Sequence, residues 1–532
     1  MSTQKSPPNL LHSFLTNKLQ QALALHQQGQ LDRARAMYED ILKFQPAHSD
    51  ALHFLGVIEN HHGNHARAAK LIEKSIAIFP NNPACYLNLG NAQKDLKQLP
   101  AALVSYNKAI ALKPDYALAY SNRGVVLQML QRLEEAVSAF DKAISIKPDY
   151  VEAHYNRANS LKNLGRMAAA IDGYNVAISL FPSFADAFLN RGSAQLELRQ
   201  LEPALQSFET AATIRPDYAE AQWNKALLLL LSGDLTAGWP LHEWRWKLGN
   251  ADHERRTFTQ PLWLGEESLK GKTVLLYGEQ GLGDSIQFVR YAKRVAALGA
   301  RVILEAPQPL MELFKTVEGV SALIQQGQPL PEFDVHCPLL SLPLAFKTTL
   351  ESVPGSSSYL QSEADKRDQW AQKLGAGSKK RVGLIWSGNR KHGNDHNRSI
   401  PLSMILPYLP RDMEYISLQK ELRDTDRATL EESKNIRHFG DALVDFADTA
   451  ALCDLMDVIV SVDTSVAHLC GALGKPTWLL LPHVPDWRWL LDRPDSPWYP
   501  SATLYRQNTP GDWGSALANV QRDLSRLLTE AD

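Results

Sequence analysis

The sequence predicts two unlike halves: an all-α solenoid of helical hairpins, followed by an α/β half with two facing parallel sheets. Three observations carry this prediction. Prolines recur every 34 residues through the first half, and short β-branched runs alternate with helical stretches through the second. At 532 residues the chain is also too long for one hydrophobic core. Hydrophobic residues make up 44% and charged residues 21%, so the composition is that of a chain able to fold.

The repeat is read at four positions. Pro46, Pro80, Pro114, Pro148, Pro182 and Pro216 keep the period, as do Ala34, Ala68, Ala102, Ala136, Ala170 and Ala204. A small residue recurs at Ala22, Gly56, Gly90, Gly124, Ala158, Gly192 and Ala226, and a ring or branched residue at Tyr38, Ile72, Tyr106, Phe140, Tyr174 and Phe208. This is the tetratricopeptide pattern. Two short helices pair antiparallel, the small residue lets their backbones approach, and the large side chain fills the space beside the crossing. Proline ends each second helix, having no amide hydrogen and barring helical geometry at the residue before it. The expected layout is a tail over 1–14, six repeats over 15–218, and a partial seventh begun by a helix from about Tyr218 to Leu231. No repeat buries its apolar face alone, so the units should stack into a right-handed solenoid with a long concave surface.

Asn88, Asn122, Asn156, Asn190 and Asn224 share one position on the first helix of their units, where repeats one and two carry Gln20 and Phe54. These amides either bond neighbouring backbone or form a ladder that holds an extended polypeptide by its main chain. His61, His62 and His65 cluster in the turn of repeat two. A metal site needs convergent geometry and usually further ligands, so a solvated turn is expected and no metal.

Charge and cysteine content exclude several classes. The net charge is -2, and without a basic excess there is no general electrostatic grip on nucleic acid or an anionic membrane. Cys85, Cys337, Cys453 and Cys470 are too few and scattered for a disulfide framework, which points to a reducing compartment. The best apolar run, Ala226 to Leu231, falls far short of a membrane span. Met1 to Leu10 is polar and contains proline, unlike a signal peptide. The expected location is cytoplasmic.

The second half begins with Trp239 to Trp246, dense in aromatics, which completes a segment over 219–250 and reads as a plug docking the repeats to the α/β half. A polar stretch, 249–260, marks the boundary. Strands are expected at Thr273–Tyr277, Arg301–Glu305, Arg381–Trp386, Met413–Leu418, Asp457–Ser461 and Thr477–Leu481. The pattern restarts near 380 after Gly375-Ala-Gly-Ser378, so two domains are expected, 251–378 and 379–532, facing across a cleft. Ligands of open α/β sheets sit outside the carboxyl ends of strands.

Two loops at such ends carry the chemistry. Gly278-Glu-Gln-Gly-Leu-Gly-Asp284 holds Gly281 and Gly283 but is neither a dinucleotide fingerprint nor a Walker loop. Asp284 suits an N-cap of a helix over Ser285 to Leu298, and a capping carboxylate at that place can also face the cleft. Ser461-Val-Asp-Thr-Ser-Val-Ala-His468 opens a helix to Leu473. Its free N–H groups, with the Thr464 and Ser465 hydroxyls, suit a diphosphate. His468, one turn on, is either a further donor or a satisfied core histidine.

The order Gly-Leu-Gly-Asp284, Asp445 to Leu452, then Ser461 to Pro476 resembles the bacterial heptosyltransferase-like glycosyltransferases over roughly 272–507. The whole chain is similar to bacterial tetratricopeptide-repeat glycosyltransferases, and in layout to protein O-GlcNAc transferases and to repeat-bearing transferases that modify flagellin. Pro485-Asp-Trp-Arg-Trp489 and Asp495-Ser-Pro-Trp-Tyr499 look typical of the repeat-bearing group. The resemblance implies a GT-B fold of two Rossmann-like domains, acceptor-side then donor, and a metal-independent enzyme with a nucleotide sugar as substrate and no cofactor. It implies Asp284 as general base and Asp463, Thr464, Ser465 and His468 as the donor loop. It also implies a cation on the donor phosphates, Arg398 in preference to Arg390 or Lys391, near Asn389, with Gln419 and Lys420 near the base.

The expected function is therefore an inverting transfer of sugar to a hydroxyl, on a protein or peptide presented by the repeats. One displacement inverts the anomeric centre. The alternative is a repeat scaffold that has lost turnover and only binds partners and senses nucleotide sugar. A lipid-directed heptosyltransferase would call for an amphipathic membrane-facing surface, which the sequence does not display.

Overall fold

The computed structural model describes residues 8–249, 256–355 and 358–529. Residues 1–7 of the expected tail and 250–255 of the expected boundary segment lie outside the described residues. The chain divides into two compact units, Met1–Ile214 and Arg215–Asp532.

The N-terminal unit is a run of helical hairpins: Pro8–Gln27 with Leu31–Phe44, Ser49–His61 with His65–Ile78, Pro83–Asp95 with Leu99–Leu112, Ala117–Met129 with Leu133–Ile146, Val151–Asn163 with Met167–Leu180, and Ala185–Glu197 with Leu201–Ile214. The first helix starts at Pro8, inside the stretch expected to be a tail. Proline suits a helix start, where its missing amide hydrogen costs nothing. The 34-residue register has a direct steric basis. A Cβ on Gly90 would lie 2.6 Å from Tyr106 Cε1, on Gly124 2.6 Å from Phe140 Cε1, and on Gly192 2.6 Å from Phe208 Cε1. The buried Tyr106 and Tyr174 hydroxyls donate to Asn91 Oδ1 (2.8 Å) and Asn159 Oδ1 (2.6 Å).

The C-terminal unit opens with a seventh hairpin, Ala219–Leu231 and Leu235–His242, continued by a 3-10 turn over Glu243–Lys247. The sequence predicts only its first helix. Yet Gly238 stands 34 residues after Ala204 and His242 the same distance after Phe208, and a Cβ on Gly238 would lie 2.5 Å from Leu230 Cδ2. The aromatic run hides this second helix because His242 replaces the bulky apolar residue and no proline follows at the repeat interval. Trp239, 2% exposed, meets Trp487 and Trp498 edge-on at 5.3 and 6.4 Å and donates its indole N–H to the Thr348 carbonyl at 2.8 Å.

Two all-parallel sheets make up the rest of this unit. The strands are β1 (Thr273–Tyr277), β2 (Arg301–Ala306), β3 (Val320–Gln325), β4 (Val335–Pro338), β5 (Arg381–Ile385), β6 (Glu414–Ser417), β7 (Ile436–His438), β8 (Val458–Val462), β9 (Thr477–Leu481) and β10 (Ala502–Arg506). The first sheet has the order β3-β2-β1-β4 and the second β10-β9-β8-β5-β6-β7. Central strands such as β8 are buried on both faces, as helices on either side require. Strands β3, β4, β7 and β10 escape the sequence reading. All four sit at sheet edges; β3 is half-exposed and β7 only three residues long, so neither shows the apolar run that marks a buried strand. The helix expected over Ser285 to Leu298 is broken into Leu282–Phe288, a 3-10 turn Val289–Tyr291, and Ala292–Ala297. Arg290 accounts for part of this break. Its buried guanidinium donates to the main-chain oxygen of Gln287 (2.8 Å), within the break, and to that of Trp498 (2.7 Å), far along the chain.

Candidate active site

The carboxyl ends of β1, β2, β5, β6, β8 and β9 border one open cavity of about 1240 Å³. It brings together Gly281, Gly283, Asp284, Asn389, Arg398, Gln419, Lys420, Asp463, Thr464, Ser465 and His468, which the sequence singles out from separate segments. The helix Leu282–Phe288 packs directly on the helix Ser465–Ala472. Glycine is required at 283, since a Cβ there would lie 2.9 Å from His468 Cδ2 and 3.3 Å from Ser465 Cα.

Asp284 is not the N-cap. Gly281 caps the helix and Asp284 sits three residues in, its Oδ2 accepting the Gly281 N–H at 2.9 Å. Its Oδ1 pairs with Arg488, whose Nη1 donates to Asp486 at 2.9 Å and whose Nε donates to Gln287 Oε1 at 2.7 Å. Burial pushes the Asp284 carboxyl above its ordinary range, and Arg488 opposes the shift. Neither Arg488 nor Asp486 is predicted from the sequence as a site residue. Their signal is the run Pro485-Asp-Trp-Arg-Trp489, a charged pair set among tryptophans.

The same loop carries a buried network. Glu279 is pushed to about 8 by burial, with Arg245 holding it down. Arg245 donates to Glu279 (3.0 Å), Glu243 (2.6 Å) and Ser341 Oγ (2.7 Å), tying the turn after the seventh hairpin to the loop that holds Asp284.

Across the cavity, Thr464 is the N-cap of the helix Ser465–Ala472, and its hydroxyl is buried without a protein partner. Arg398 donates to the Asp463 carbonyl at 3.0 Å. Its guanidinium lies over Gly388, where a Cβ would come within 2.8 Å of Nη2. Burial, reinforced by Asp486, raises the Asp463 carboxyl to about 6. His468 stacks 5.4 Å from Trp489 and shares a hydrogen bond with the Tyr499 hydroxyl at 2.9 Å. Burial and then Arg488 hold it well below the usual imidazole value, so it is neutral at physiological pH. Arg423, paired with Asp395, is a further cavity cation that the sequence reading passes over.

Other expected site residues are already engaged. Both ends of the Gln419 amide bridge to Ser387, accepting from its N–H (3.3 Å) and donating to its carbonyl (3.0 Å), which joins the loops after β5 and β6. Lys420 donates to the Val444 carbonyl at 2.9 Å, and Asn389 Oδ1 accepts from the Lys391 N–H at 3.0 Å. In the N-terminal unit the amides bond side chains of the preceding repeat instead of neighbouring backbone: Asn88 to His53 (2.9 Å), Asn122 to Asn91 (2.8 Å) and Asn190 to Tyr155 (2.7 Å). Asn156 offers its main-chain oxygen to Gln128, and Asn224 belongs to the C-terminal unit. Successive first helices lie side by side, so an amide at this position reaches a side chain before it reaches a carbonyl. His65 shares a hydrogen bond with Asn60 at 2.8 Å, and among the described residues no His, Cys, Asp and Glu converge in a group of three fit to hold a metal ion.

The N-terminal region consists of tetratricopeptide repeats: sequence profiles of that repeat match residues 19–83 and 189–238, 94–131 and 130–165, and 151–184. Such repeats mediate protein interactions, and here they precede an α/β region with parallel sheets. The chain is similar to Protein FlbA of Caulobacter vibrioides, 26% identical over 325 residues, which are 56% of this chain and 54% of that protein. It thus spans about half the length of the curated relative it matches. Among solved structures it is similar to MamA (25% identity, 31% of this chain, 96% of that one, TM-score 0.29). It is also similar to YrrB, described as a TPR protein with an unusual peptide-binding site (20% identity, 36% and 98%, TM-score 0.32). No helix among the described residues is long and apolar enough to cross a membrane.

Proposed function

We propose that the C-terminal region is an inverting glycosyltransferase that moves a sugar from a nucleotide-sugar donor to a hydroxyl, on a protein or peptide bound through the repeats. One observation carries the proposal: a partly buried carboxylate, Asp284, shares a cavity with a helix start whose buried Thr464 hydroxyl is unpartnered and beside which Arg398 lies. In this reading Asp284 takes the acceptor's hydroxyl proton as that oxygen bonds the anomeric carbon. The bond from that carbon to the diphosphate breaks in the same displacement. The leaving charge falls to the free N–H groups of the helix start, the Thr464 hydroxyl and Arg398, a preorganised electrostatic stabilisation. The cations already lining the cavity mean that no metal ion is called for.

The direct test is a thermal-shift screen of nucleotide sugars followed by release of nucleoside diphosphate from the donor that stabilises most. Arg398→Ala should weaken diphosphate affinity, read by titration calorimetry, by about 1.5–3 kcal/mol, the range for a hydrogen bond to a charged group. Unchanged affinity would transfer the role to Arg390, Lys391 or Arg423. A wild type that neither binds nor turns over any donor would leave the scaffold reading.

Arg488 sets the pH response. It favours the ionised form of Asp284, so in Arg488→Gln the carboxyl pKa rises further and the acid limb of the kcat/KM profile moves to higher pH. An acid limb that stays in place would show that Asp284 is not the group titrating there.

A further inference from the structure

The cavity is larger than a donor alone requires. Its volume of about 1240 Å³ exceeds the roughly 300–1,000 Å³ of a single small-molecule site. Its lining also divides by chemistry. The loops after β5, β6 and β8 supply the cations and the open helix start. A second part is supplied by Trp223 and Leu227 of the helix Ala219–Leu231 and by His242 at the end of the next helix.

This second wall is tied to the reacting carboxylate. The Trp223 and His242 rings lie 4.8 Å apart, and His242 meets Trp487 at 6.1 Å. The helix Ala219–Leu231 packs on the turn Trp487–Trp489, which carries the guanidinium paired with Asp284. Burial, with Arg245 and Arg488, holds His242 far below the usual imidazole value, so the wall is uncharged at neutral pH. An uncharged aromatic and aliphatic surface does nothing for a diphosphate but suits the carbon skeleton of an alcohol.

We propose that Trp223 and Leu227, with the buried His242 beside them, form the acceptor subsite: they seat the aliphatic part of a serine or threonine of an extended polypeptide, so that its hydroxyl meets Asp284. This rests on the transferase reading above and names the acceptor half of that site. A polypeptide is favoured over a glycan by the origin of the wall. Trp223 adjoins Asn224 on the first helix of a tetratricopeptide hairpin, and stacked repeats of this kind present their first helices as chain-binding surface. The seventh repeat is thereby part of the catalytic unit and not an appendage to it.

The test uses the full chain, wild type, Trp223→Ala and Trp223→Phe, with the nucleotide sugar giving the largest thermal shift. Nucleoside diphosphate release is followed with two acceptor probes: a pool of short peptides with a central serine or threonine, and a set of methyl glycosides. The peptide pool should stimulate the wild type. Trp223→Ala should raise the peptide KM at least about tenfold, the discrimination one apolar pocket contact supplies. Its donor KM should stay within about twofold, and Trp223→Phe should recover most of the loss. A peptide KM unchanged in Trp223→Ala overturns the subsite and leaves the transferase reading standing. Stimulation by glycosides alone, or by neither probe, overturns the polypeptide acceptor. If no nucleotide sugar shifts the wild type, the transferase reading itself fails and this subsite with it.

Discussion

Asp284→Asn should slow the proposed sugar transfer by about 10²–10⁴-fold, the usual contribution of a general base. Asparagine keeps the size of the side chain and an oxygen for the Gly281 N–H, so the helix start survives. Arg488 loses one partner but keeps Asp486 and Gln287, so the guanidinium is not left buried and bare. What disappears is the basic lone pair. The proposed donor cradle lies on the other helix, so diphosphate affinity and melting temperature should stay close to wild type. Steady-state turnover at saturating donor, beside a thermal melt and a diphosphate titration, checks all three. Normal turnover in this variant would remove Asp284 as the base.

Trp239→Ala costs about 3–5 kcal/mol, the range for truncating a fully buried large aromatic. Two effects add. A cavity opens among Trp487, Trp498 and His242, and the Thr348 carbonyl loses the indole N–H. Trp487 immediately precedes Arg488, so relaxation of that cluster should also disturb the pair with Asp284. Calorimetry is the suitable measurement, because two compact units need not unfold in one transition and the loss should fall in the C-terminal one. Trp239→Phe, which keeps a ring but not the donor, separates the contributions. It should cost about 1–3 kcal/mol for the stranded carbonyl. An unshifted transition in Trp239→Ala would mean that the seventh hairpin is not anchored through this side chain.

Some of the site was legible in the sequence because each of its loops follows a buried strand. A run such as Val458–Val462 is apolar on both faces, and the residues after it must lie at the carboxyl edge where ligands bind. Asp284 and the 463–468 loop could be found that way. Arg488 was harder to place: its run among tryptophans is visible in the sequence, but the carboxylate it reaches lies 204 residues earlier. The bridge made by Gln419 was hidden for a related reason: its amide bonds Ser387 in the neighbouring loop, and nothing local in its sequence says so.

The 34-residue register was determined by the sequence alone, because it is a steric rule between residues close along the chain. A glycine or alanine on one helix faces a ring or branched side chain on the next, which lets the two helices close into a hairpin. The edge strands, the second helix of the seventh repeat and the partners of the amides were decided only by the tertiary structure. Those features depend on which surface a segment meets. An edge strand is held by its neighbour's backbone, which its own side chains do not specify, and the aromatic helix by Trp487 and Trp498, which lie far along the chain.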